Sequence, residues 1–118
     1  MDNFRFFAEV IDGVVTRVLT VHSNSMLNDD GVEQESIGQA FLNNIVEESN
    51  WVLCSNDGFR KQFPIPGSTF NSLENIFIGP QPYSSWVLDD NFDWQAPVVR
   101  PAEGIWFWNE ETTSWVKV

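Results

Sequence analysis

The chain is short of the residues that most catalysis and most covalent stapling need. Among its 118 residues there is one cysteine, Cys54, so no intrachain disulfide can form. Cys54 ends the apolar run Trp51-Val52-Leu53-Cys54, a setting for a small buried hydrophobe rather than a nucleophile. The single histidine, His22, has no cysteine or second histidine near it, which excludes the usual zinc spacings. Positive charge is scarce too: six Lys plus Arg stand against seventeen Asp plus Glu, for a net charge of −11. The densest basic stretch is the pair Arg60-Lys61. Binding to nucleic acid requires a basic stripe that releases counterions from phosphate, and an anionic membrane surface makes the same demand, so neither is expected as a partner. No apolar run nears the roughly 18 residues of a spanning helix. Met1-Asp2-Asn3 shows no basic segment leading into an apolar one, and there is no Asn-x-Ser/Thr sequon. The expectation is synthesis and folding in a cytoplasm.

What the chain does have is aromatic side chains, ten Phe and six Trp in a length suited to one ordinary domain. Such residues bury large areas and favour strands. The predicted class is α+β, mainly antiparallel β: an N-terminal hairpin and one amphipathic helix, then successive short aromatic hairpins joined by Pro-rich linkers. Ile11-Asp12-Gly13, between the apolar runs 4–10 and 14–21, is a strong hairpin signal. The second run alternates imperfectly, so both of its faces are expected to be partly covered. Residues 22–35 read as a polar loop. Its Asn28-Asp29-Asp30-Gly31 fails as a calcium loop, because the first and twelfth positions would be Met26 and Ile37. Residues 36–46 carry Ile37, Ala40, Phe41, Asn44 and Ile45 at helical spacing, which predicts the one helix and the face it buries. Residues 51–55 read as a strand, 56–58 as a turn and 59–63 as a short extended piece, after which Pro64-Ile65-Pro66-Gly67 breaks regular pairing.

The second part of the chain repeats one form. An aromatic or apolar residue, a polar turn, and an aromatic six or seven residues on occur at Phe70 to Phe77, Leu88 to Trp94 and Trp108 to Trp115. These predict three hairpins with cross-strand apolar pairs, linked by the Pro-rich segments 79–83 and 96–101. The expected division is a hairpin, helix and strand core over 1–68 and an aromatic hairpin region over 69–118. In the last hairpin, pairing Trp108 with Trp115 puts Ile105, Phe107, Val116 and Val118 on one face and Trp106, Trp108, Trp115 and Lys117 on the other. Both faces need cover, since an isolated two-stranded hairpin is marginal in water.

For chemistry there is little to find. The sequence has no Walker loop, dinucleotide fingerprint, Gly-x-Ser-x-Gly elbow or metalloprotease His pair. Paired carboxylates are the remaining catalytic option, but Asp89-Asp90 and Glu110-Glu111 lie in turns, where solvation and local hydrogen bonds account for them. No enzymatic activity, cofactor or metal is expected. The aromatic residues Tyr83, Trp86, Trp94, Trp106, Trp108 and Trp115 are the candidate partner-binding set. They serve either as core and protein contact, where Trp and Tyr are enriched, or as a stacking platform for sugars.

Several further segments stand out: Phe7-Ala8-Glu9-Val10 with Val15-Thr16-Arg17-Val18, Ala40-Phe41-Leu42, Trp51-Val52, the Phe70 to Phe77 hairpin, Pro80-Gln81-Pro82-Tyr83-Ser84-Ser85-Trp86, Trp94-Gln95-Ala96-Pro97-Val98 and the closing Trp108 to Val116. In this order they resemble a family of small proteins of marine tailed phages, cyanophages in particular. The chain departs from that family at Gln62-Phe63-Pro64-Ile65-Pro66-Gly67-Ser68, where an Asn-Tyr-Ala-Gly-Ile-Gly-Tyr segment is usual, and its middle hairpin is one residue shorter. The resemblance implies a non-enzymatic virion structural protein, made in the host cytoplasm. It would dock on a larger tail, baseplate or capsid assembly with other phage structural proteins as partners, and as a homo-oligomer or in many copies. The alternative is a carbohydrate-binding adhesin module of a tail fibre, with a glycan as its partner.

Overall fold

A computed structural model describes residues 3–118. Among these residues the fold is mainly antiparallel sheet with one α-helix and several short hairpins, an α+β arrangement. The chain divides into two compact units, the first running to Pro80 and the second spanning Gln81–Val118.

The first unit is built on β1 (Phe4–Ile11) and β2 (Val14–His22). Asp12 and Gly13 both take positive φ, 52° and 80°, the mirror-image turn whose twist suits a two-residue hairpin. Glu9 pairs with Arg17 but Val10 pairs with Val15, so Thr16 is the extra residue of a β-bulge. The bulge explains the imperfect alternation of β2. It brings Val15 onto the same side of the sheet as Val18, although the two are an odd number of positions apart. The Thr16 hydroxyl is put to use, donating to Glu9 Oε1 at 2.7 Å. That bond, with others from Ser49 and Arg17, holds the buried Glu9 carboxyl below the usual carboxylate range.

Three further strands complete the sheet: β3 (Trp51–Cys54), β4 (Thr69–Asn71) and β5 (Ile76–Ile78), in the order β3-β1-β2-β4-β5. One side gathers Ala8, Val10, Val15, Val52, Cys54 and Phe77. The other gathers Phe7, Val21, Met26, Leu42 and Trp51 beneath helix α1 (Glu35–Ile45) and a short 3-10 turn at Ser23–Met26. β1 is therefore covered on both faces over Phe7, Ala8, Glu9 and Val10, the four consecutive buried residues of the strand. Burial pushes the Cys54 thiol up to about 12, which leaves it un-ionised and unreactive. The His22 ring accepts a hydrogen bond from the Asn24 backbone and meets Phe4 edge-on, a capping role at the end of β2.

Three expectations are corrected here. The face that α1 buries is centred on Gly38 and Leu42, with Phe41 packed alongside, while Ala40, Asn44 and Ile45 are exposed. The cause is Gly38. A Cβ there would lie 2.5 Å from Phe7 Cζ, so the glycine lets the helix sit closer to the sheet than the Ile37 stripe allows. Second, residues 59–63 are not extended: Arg60 and Lys61 take consecutive positive φ values of 53° and 76°. This kink sends the Arg60 carbonyl to the Phe77 amide at one edge of the sheet and its guanidinium to the Leu53 carbonyl, 2.8 Å away, at the other. Third, the first compact unit extends past residue 68, because Thr69 pairs with Val14 and draws the Phe70–Phe77 hairpin into the sheet.

Candidate functional site

All six candidate residues lie in the second unit. It contains two separate hairpins, β6 (Val87–Leu88) with β7 (Trp94–Gln95) and β8 (Trp106–Asn109) with β9 (Ser114–Lys117). The registers are those read from the sequence, Leu88 opposite Trp94 and Trp108 opposite Trp115. Each turn is set by a short polar side chain. Asp89 accepts from the Asn91 and Asp93 amides, and Asn109 from the Thr112 amide.

Four of the six residues come together. Trp86, Trp108 and Trp115 form a closed triad of edge-to-face contacts, with centroids 5.9 Å, 6.1 Å and 5.2 Å apart, and Tyr83 leans on Trp86 at 5.6 Å. Edge-to-face pairs at this spacing align ring edges with π faces, each worth about 0.5–1.5 kcal/mol beyond the area buried. The triad is the core of a unit too small to build an aliphatic one, and Trp108 is buried. The other two are not members of the triad. Trp94 pairs with Leu88 in the middle hairpin, and Trp106 turns back on its own chain, donating to the Glu103 carbonyl at 2.7 Å.

Glu110 locks this core in place. Its carboxylate accepts from the Ser85 hydroxyl at 2.6 Å, Trp108 Nε1 at 2.8 Å, the Ser84 hydroxyl at 2.9 Å and the Ser85 amide at 3.0 Å. The Ser85 bond foremost, then those from Trp108 and Ser84, hold the Glu110 carboxyl down at about 2 against the pull of desolvation. Sequence alone assigned Glu110 to a solvated acidic turn. The signal for its real role was Ser84-Ser85 just ahead of Trp86, two hydroxyls with no other assigned work. Trp115 Nε1 donates to the Val98 carbonyl at 2.8 Å and ties the linker 96–101 to the triad.

The two faces of the last hairpin fare differently. On the tryptophan face Trp108 is buried and Trp106 and Trp115 are half-buried, whereas Ile105, Phe107 and Val118 on the opposite face are 70%, 50% and 79% exposed. A hydrogen bond from the Val118 amide to the Ile105 carbonyl keeps that apolar face continuous past the strand ends. Among the described residues no group of three or more His, Cys, Asp or Glu is placed to hold a metal ion, and no helix is long and apolar enough to cross a membrane. A scan against protein-family models finds no match, and searches of curated proteins and of solved structures find none either.

Proposed function

We propose that the chain is a non-enzymatic structural protein of a tailed-phage virion, docking on a larger tail, baseplate or capsid assembly through its C-terminal unit. The observation that carries the docking element is the uncovered apolar face of Ile105, Phe107 and Val118, backed by a rigid indole core. A hairpin whose inner face is stapled by aromatic contacts and by Glu110 presents its outer face with little ordering cost on binding. Exposed apolar surface on a chain of net charge −11 is costly in solution and is relieved when a partner covers it. The phage setting comes from the resemblance of the segments around Phe7, Trp51, Tyr83, Trp86 and Trp115.

Mass spectrometry of purified phage particles tests the setting: the chain is expected in the particle at a fixed copy number, and its absence overturns the reading. Phe107→Asp tests the docking element, with loss of incorporation expected at unchanged folding. That substitution is the sound choice because removing the whole hairpin, or Trp108, would dismantle the unit's own core.

A further inference from the structure

We infer that the C-terminal unit carries a binding site for a carboxylate-bearing sugar of the uronic-acid class, in the cleft between Trp86, Trp115 and the linker 96–101. The site stands apart from the docking face and from the virion reading, so either can fail without the other.

The cleft has a volume of about 520 Å³, within the range of small-ligand sites, and is lined by Trp86, Gln95, Val98, Val99, Arg100 and Trp115. Its walls are fixed. Trp115 Nε1 holds the Val98 carbonyl, and Trp86 packs against Trp115 at 6.1 Å. Gln95 donates its amide N–H to Asp89 Oδ2 at 3.0 Å, which orients its carbonyl as a free acceptor for a hydroxyl. By contrast, the polar cleft of the first unit is lined by Glu35 and Arg60, whose charges are already spent on each other.

The decisive group is Arg100. Its guanidinium stands 6.0 Å from the Trp115 ring centroid, at the outer limit of a cation–π contact. Among the described residues no carboxylate lies within ion-pairing distance of it, although the chain holds seventeen Asp and Glu. A guanidinium left unpaired in so acidic a protein, beside two indoles and two valines, suits an anion whose remainder is apolar and flat-sided. A pyranose carrying a carboxylate meets each demand. The carboxylate takes the two-pronged guanidinium, the C–H face of the ring lies on an indole, and a hydroxyl reaches the Gln95 carbonyl. A neutral sugar leaves Arg100 unused, and a small inorganic anion leaves the indoles unused.

The test is titration of the full chain, 15N-labelled at tryptophan, with digalacturonate, with a neutral disaccharide of equal size and with sodium acetate in parallel. Saturable shifts of the Trp115 indole N–H signal, identified by its loss in Trp115→Phe, are expected with digalacturonate alone. Arg100→Gln is expected to weaken binding roughly ten- to a hundredfold, the worth of a hydrogen bond to a charged group, while Lys117→Gln leaves it unchanged. Unchanged dispersion of the other indole signals certifies that the variant is folded. The inference is overturned if digalacturonate gives no saturable shift, if the neutral sugar or acetate binds as tightly, or if Arg100→Gln binds like the parent chain.

Discussion

Replacing Arg60 by Met is the perturbation to which the first unit should be most sensitive. The guanidinium donates to Glu35 Oε2 and Oε1 at 2.8 Å and 3.1 Å, to the Leu53 carbonyl at 2.8 Å and to Asn75 Oδ1 at 2.9 Å. It also lies 4.8 Å and 5.7 Å from the ring centroids of Phe59 and Phe70. The arginine thus ties α1, the β3 edge and the β4–β5 turn together, while Glu35 answers the Leu53 amide at 2.9 Å. Side-chain exposures of 13% for Arg60 and 27% for Glu35 place the pair between surface and interior. Breaking a fully buried pair costs about 3–5 kcal/mol and a surface pair less than about 1, so about 2–3 kcal/mol is the expected loss. For a unit of this size that lowers the midpoint of thermal unfolding on the order of 10 °C. Adding Glu35→Gln to Arg60→Met should return about 1 kcal/mol or more, because the stranded carboxylate is gone while the Gln oxygen still accepts from Leu53. Urea unfolding followed by far-UV circular dichroism measures both variants against the parent chain, and hydrogen exchange at the Phe77 amide reports the β5 edge. An Arg60→Met variant within about 0.5 kcal/mol of the parent, the range of ordinary surface substitutions, would refute the assignment. A double variant no better than the single one would refute the role of the charge.

Gly38→Ala should destabilise by about 1–3 kcal/mol in the same urea assay, despite alanine's better helix propensity, since its Cβ would fall 2.5 Å from Cζ of the fully buried Phe7. A stabilised variant would mean that α1 is not pressed against β1 at this point. Trp86→Phe should cost about 1–2 kcal/mol less than Trp115→Phe by calorimetry. Trp86 Nε1 is buried without a hydrogen-bond partner among the described residues, whereas Trp115 Nε1 serves the Val98 carbonyl. Equal costs would remove the distinction. Glu110 sets a pH window. Its carboxyl lies at about 2 when folded and near 4.5 when unfolded, so its stabilising contribution is complete above pH 4.5 and is lost as pH falls towards 2. Glu110→Gln should flatten that acid limb in near-UV circular dichroism of the indoles, and an unchanged limb would mean that other carboxylates govern it.

Much of this architecture was legible in the sequence because it rests on local signals. Asp12-Gly13 could hardly be anything but a two-residue turn, and the pairs Phe70–Phe77, Leu88–Trp94 and Trp108–Trp115 follow from where polar turns fall between aromatics. What escaped reading depends on partners distant in the chain. The helix face was misjudged because apolar periodicity credits Ala40 and Ile45, whereas the real face is chosen by a glycine that periodicity ignores. Arg60 looked like half of a meagre basic patch, and nothing nearby announces that Glu35 lies 25 positions earlier, waiting for it. Glu110 and Ser85 are 25 positions apart in the same way. Side chains that work across such separations leave a trace in sequence only as polar residues with no local employment.

The three aromatic hairpins show why similar spacing need not give similar roles. The first reaches an open sheet edge, since Thr69 can pair with Val14, so its Phe70–Phe77 pair joins a core already in place. The second and third pair with no other strand and must supply their own interior. Two-residue strands such as β6 and β7 bury too little to do so with aliphatic side chains. Indoles solve the problem, because a ring triad held edge to face needs few residues, and one carboxylate, Glu110, fastens it through four hydrogen bonds. With Trp108 buried and Trp86 and Trp115 packed on it, aliphatic and aromatic side chains such as Tyr83, Val99, Ile105, Phe107 and Val118 are left exposed, and Arg100 remains without an acidic partner among the described residues. The same indoles thus serve two ends, closing the interior of the unit and, at Trp86 and Trp115, walling the cleft beside the linker 96–101.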